Sequence, residues 1–182
     1  MEQKTINEYK QAVSRCKEVF EKKTRDYGSA WRILRLPSIT DQIYIKAQRI
    51  RSIQEKGAQK VEDDFETEFI GIVNYCLIGL IQISLGDSPD ISLDPASIFR
   101  HYDQAVGDTM TLLERKNHDY DEAWRSMRIS SITDIILMKI FRIKQIEDNR
   151  GETVASEGVR SNYQDIVNYA VFCLIKLKSN GI

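Results

Sequence analysis

Three acids and two cations carry the chemistry this chain could do. Lys139 and Arg142 stand three residues apart in a run that places Ile132, Ile136, Ile143 and Ile146 on the same helical face as the lysine. An ammonium left unpaired in such a seam costs several kcal/mol, so it calls for a carboxylate, a phosphate or water beside it. Asp165, Asp134 and Glu157 are expected to converge as hard oxygen ligands for Mg²⁺, an ion that keeps several waters and shares itself with substrate phosphates. Lys139 and Arg142 would then neutralise the remaining phosphate charge. Two of the acids also have a structural reading: Asp134 as a helix-start acid and Asp165 as partner of the seam lysine.

The same constellation occurs earlier in the chain. Lys46 and Arg49 lie in a stripe with Ile39, Ile43, Ile50 and Ile53, and Asp41 takes the place of Asp134. Residues 26 to 53 and 119 to 146 align at an offset of 93, with 15 of the 28 positions identical. After a one-residue insertion "FIGIVNY" meets "YQDIVNY", which pairs Asn74 with Asn168 but leaves Gly71 opposite Asp165. The acidic run "EDDFETE" (62 to 68) supplies carboxylates earlier and otherwise reads as a solvated face. The missing aspartate opens a mixed reading, in which the first copy is a degenerate half that braces a single working site in the second.

Between the first two helices of each copy, Trp31 and Trp124 could offer a flat face to a base or plug a gap between helices. Asp26 and Asp119 follow cationic helix ends and are expected to close a loop by accepting from backbone N–H groups.

The elements that must position these groups are helical. A first helix carries Ile6, Tyr9, Val13, Cys16 and Phe20 at alternating spacings of three and four. A second starts at "SITD", with Ser38 or Ser131 as cap, and runs to about Lys56 or Asn149. A third covers roughly 62 to 85 and 158 to 179. Almost nothing alternates as a strand would. The predicted class is all-α, with internally duplicated three-helix units (1–86 and 95–182, linker 87–94) packed as one globular pseudo-twofold helical bundle.

Charge and composition exclude several roles. With 26 Lys+Arg against 27 Asp+Glu and no basic run, no dedicated nucleic-acid surface is expected. The apolar stretch "FIGIVNYCLIGLIQISL" contains Asn74, Tyr75 and Gln82 and reads as a buried helix, not a membrane span. Three cysteines without metal spacing fit reduced core thiols and a cytoplasmic setting.

The pattern of a lysine, two residues and "DY", then "AW", an arginine, "SITD", K-x-x-R-I and "DIVNY" resembles the nucleotide modification associated domain 1 family, through both copies. That family is distantly similar to all-α nucleoside triphosphate pyrophosphohydrolases of the MazG and dimeric dUTPase type, whose helix-borne carboxylates hold Mg²⁺. The resemblance implies a nucleotide or other phosphate-bearing small molecule as ligand and metal-dependent hydrolysis of a phosphoanhydride bond. The paired acids of that second group, E-x-x-E and E-x-x-D, are not intact here, and Asp165-x-x-Asn168 is a partial echo. Two functions therefore stand open: a nucleotide-binding or hydrolytic protein, and a non-catalytic interaction scaffold whose Asp, Lys and Arg residues form interhelical ion pairs. Homo-oligomer formation is compatible with either.

Overall fold

A computed structural model describes residues 2–57, 65–86, 92–120, 122–154 and 157–179, without the side chains of 117–120. Six α-helices form, and no strand occurs among the described residues: α1 (Gln3–Tyr27), α2 (Leu36–Lys56), α3 (Phe65–Leu85), α4 (Pro95–Tyr120), α5 (Ile129–Asp148) and α6 (Val159–Ser179). Each copy contributes three, with a short 3₁₀ turn carrying the tryptophan before the second (Ala30–Ile33 and Ala123–Ser126).

Most of each helical stripe is buried, with Ile6 and Ile53 left half-buried. Tyr9, Val13, Cys16 and Phe20 of α1 face the core, as do Ile39, Ile43 and Ile50 of α2 and Ile132, Ile136, Ile143 and Ile146 of α5. Helix α1 ends at Gly28, whose φ of 60° suits a residue without Cβ and whose N–H donates to the Thr24 carbonyl at 2.8 Å. That bond closes the turn in place of the expected Asp26 carboxylate, which is exposed. Asp119 has a side chain outside the described residues.

Helices α2 and α5 begin two residues before "SITD". Arg35 and Arg128 occupy the N-cap positions without a side-chain cap bond, so Ser38 and Ser131 are not caps. Pro37 fits the first turn of α2, where its missing N–H needs no partner, and α5 starts at the equivalent residue with Ser130 in that place.

Helices α3 and α6 pack against each other at the centre, with α2 and α5 on one side and α1 and α4 on the other. Helix α3 is long and apolar enough to cross a membrane by length and composition, yet 67% of that stretch is buried among the other helices. Cys16, Cys76 and Cys173 are buried and free, and burial pushes the Cys16 thiol up to about 12, so it stays protonated.

The duplication appears as reciprocal bonds between the repeats. Tyr9 Oη donates to Asn168 Oδ1, and Tyr102 Oη donates to Asn74 Oδ1, both at 2.8 Å in the core. Lys144 pairs with Asp41 at 2.5 Å, and Arg51 pairs with Asp134 at 3.7 Å. Thr40 donates to Glu147 at 2.7 Å, and Gln54 donates to Thr133 at 3.2 Å. In each case exchanging the copies converts one contact into the other, which is the signature of a pseudo-twofold axis between α2 and α5.

The last of these pairs differs in charge. Burial pushes the Glu147 pKa above its ordinary value, against the opposing Thr40 hydrogen bond. A carboxyl whose folded pKa is raised lowers stability as pH climbs past its unfolded pKa, and the loss is complete above the folded one. Glu147→Gln, which copies Gln54, should therefore raise Tm at pH 7 and leave it unchanged near pH 3. Thermal melts at the two pH values check this; equal shifts at both would contradict it.

Candidate functional site

In the second repeat the seam lysine finds its carboxylate. Asp165 on α6 is buried, and its two oxygens accept from Lys139 on α5 at 2.5 Å and from Lys116 on α4 at 2.8 Å. Burial works against the Lys116 ammonium, but the hydrogen bond and charge of Asp165, helped by Glu157, outweigh it and raise its pKa. Above this charged cluster Phe172 stacks on Trp124, ring centroids 4.3 Å apart and planes within 6°. Tyr169 meets Phe172 edge-on at 6.3 Å. An anion and an aromatic ring, both supplied by α6, thus satisfy the lysines and cover the tryptophan.

The first repeat keeps the receptors and loses both fillers. Gly71 replaces Asp165 and Ile78 replaces Phe172 in the aligned helices. The result is a cavity of about 510 Å³ between α1, the Trp31 turn, α2 and α3, lined by Lys23, Trp31, Lys46, Asn74 and Tyr75 among others. Lys23 is the counterpart of Lys116 and has no ion-pair partner among the described residues. Trp31 is half-buried, and its indole N–H is shielded from solvent without a hydrogen-bond partner among those residues.

Lys46 leans on what remains. Its Nζ lies 3.3 Å from buried Glu68, whose other oxygen accepts from Arg49 at 2.6 Å. The lysine stem runs across Gly71, where an added Cβ would sit 2.7 Å from Cδ and Cε. Glycine therefore leaves the room through which the lysine stem passes.

The residues expected to act together divide into three places. Asp165, Lys139 and Glu157 gather around Lys116, from which Glu157 lies 3.6 Å. Asp134, 63% exposed, sits instead at the α2–α5 contact with Arg51, and Asp41 is its symmetric mate. Arg142 is exposed, whereas Arg49 is tied to Glu68. Asn74 and Asn168 serve the inter-repeat locks, and Asn74 also donates to the Cys16 carbonyl at 3.0 Å.

This donor set does not fit the expected Mg²⁺. Both oxygens of Asp165 are held by ammonium groups that a cation would have to displace, and Asp134 belongs to another contact. Among the described residues no three His, Cys, Asp or Glu side chains are grouped to hold a metal. Lys23, Glu68, Tyr75 and Phe172 lie outside the expected site residues, although Lys23 belongs to the repeated lysine-x-x-"DY" pattern and Glu68 to the acidic run 62 to 68.

No curated protein and no solved structure matches the chain. The family described as nucleotide modification associated domain 1 matches it twice, over residues 23–83 and 116–177, segments that contain Lys23, Trp31, Lys46 and Gly71 and their counterparts. The chain belongs to that family and carries its domain in duplicate.

Proposed function

We propose that this protein binds a phosphate-bearing nucleotide in the first repeat, with its phosphate between Lys23 and Lys46 and its base against Trp31. The observation that carries the reading is the contrast between the repeats. Where α6 places a carboxylate on two lysines and a ring on a tryptophan, α3 offers Gly71, Ile78 and an open cavity. The second repeat is thus an internal likeness of the occupied site: an anion and a flat ring held on one scaffold.

The cavity volume falls in the range that encloses a small ligand, and its mostly apolar walls with a few polar groups are typical of such sites. Stacking on an aromatic side chain contributes about 1–3 kcal/mol per base. Charge-assisted hydrogen bonds from two ammonium groups supply orientation as well as affinity. On this reading the working half is the first repeat, and the second is the brace, the reverse of the expectation drawn from the missing aspartate.

Thermal melts with the common nucleoside mono-, di- and triphosphates test it. At a hundredfold excess over Kd a single-site ligand adds about 2.7 kcal/mol, roughly 5–10 °C in Tm for a chain of this size. At least one nucleotide should give a shift of this kind at millimolar concentration. No shift with any of them would overturn the proposal.

A further inference from the structure

Charge complementarity narrows the ligand, on the assumption that the first-repeat site is the one proposed above. Of the described residues that line the cavity, only Lys23 and Lys46 are cationic, and none is acidic. Behind the cavity wall Glu68 is shared by two cations, one oxygen accepting from Arg49 at 2.6 Å and the other lying 3.3 Å from Lys46. Lys23 and Lys46 are the cations that face the ligand.

A phosphomonoester carries a charge of about −1.5 to −2 at pH 7, with its second pKa near 6. A triphosphate carries roughly twice that, and among the described lining residues no further cation is present to meet its additional phosphates. A phosphodiester carries only one charge. The second repeat supports the same count, because there one carboxylate joins the two lysines with a further acid, Glu157, 3.6 Å from Lys116. We infer that the ligand is a nucleoside monophosphate, recognised as a dianionic phosphomonoester joined to a planar base.

The inference also assigns Lys23, exposed and outside the expected site residues, as a phosphate contact that acts with Lys46. Both lysines should therefore matter for the phosphate and neither for the base.

Calorimetric titration of the full-length protein with a matched series (nucleoside, 5′-monophosphate, its methyl ester, diphosphate, triphosphate) in EDTA-containing buffer tests this. The monophosphate is expected to bind at least tenfold tighter than every other member. Its affinity should fall as pH drops from 7 to 5, while that of the nucleoside stays level. Lys23→Ala and Lys46→Met should each weaken the monophosphate about tenfold and leave the nucleoside within twofold. A triphosphate tighter than the monophosphate would overturn this inference and leave the site proposal standing. Failure of the whole series, for every common base, would overturn the site proposal itself. Loss of folding in a lysine variant would show in its melt, and the pH series on the unaltered protein decides the matter independently.

Discussion

Gly71→Asp is expected to weaken nucleotide binding at least about 100-fold while leaving the protein as stable as before. The substituted carboxylate would stand where Asp165 stands in the other repeat, between Lys46 and Lys23, and would repel an incoming phosphate. Like charges brought together in a binding site cost several kcal/mol, more than the ~2.7 kcal/mol that a hundredfold loss requires. The new Cβ conflicts only with the far end of the Lys46 side chain, which is free to swing and pair with the new acid. Replacing a helical glycine also removes a propensity penalty of a few tenths of a kcal/mol. Titration and thermal melts on the same preparation separate the two effects. Gly71→Asp protein that binds as the unaltered chain does would contradict the placement of the phosphate.

Asp165→Ala should have the largest effect on stability, about 3 kcal/mol and roughly 6–12 °C in Tm. Lys139 is 12% exposed and would be left in an apolar seam without a counter-charge, and Lys116 would lose its closer partner. Pairing the change with Lys139→Met should recover most of the loss, because removal of both partners of a buried ion pair leaves no uncompensated charge. The corresponding Glu68→Ala should cost less. Its partners Lys46 and Arg49 are 27% and 33% exposed and can turn to water. Urea unfolding of the two single variants and the double variant checks the order. A Glu68→Ala loss equal to that of Asp165→Ala would contradict the view that only the second repeat uses its acid mainly as a brace.

The asymmetry between these two acids shows what local spacing conveys and what it does not. Helix identity, the duplication and the lysine in each apolar stripe are properties of i, i+3 and i+4 neighbours, so they are visible in the residues themselves. The lysine was expected to need a carboxylate, and Asp165 on the third helix of the same repeat is that partner for Lys139. For Lys46 the partner is Glu68, one turn before Gly71, inside a run that otherwise reads as a solvated face.

Asp41 and Asp134 were misread for a different reason. Their partners, Lys144 and Arg51, lie in the opposite repeat, and only the packing of α2 on α5 decides that they meet. Sequence spacing within one helix carries no information on that crossing. The grouping of Asp134 with Asp165 and Glu157 as a metal site came from residue type alone, and the packing separates Asp134 from the other two.

Gly71 was legible as a difference, but its sign was not. A missing acid suggests a lost function when the acid is taken as a ligand to a metal. Asp165 instead neutralises two lysines, and on the proposed reading its absence leaves their counterparts open to a ligand. The same holds for Ile78 against Phe172: the smaller side chain looks like ordinary core variation until the stacked pair on Trp124 shows which volume the ring occupies.

The two tryptophans, one in each repeat, allow the claim of a single open site to be read directly. Tryptophan fluorescence is recorded while a nucleoside monophosphate is added to Trp124→Phe, which keeps only Trp31, and to Trp31→Phe, which keeps only Trp124. A base stacked in the first repeat predicts saturable quenching in Trp124→Phe and none in Trp31→Phe, where Phe172 already covers the remaining indole. Quenching in Trp31→Phe with none in Trp124→Phe would place the ligand in the second repeat and contradict it.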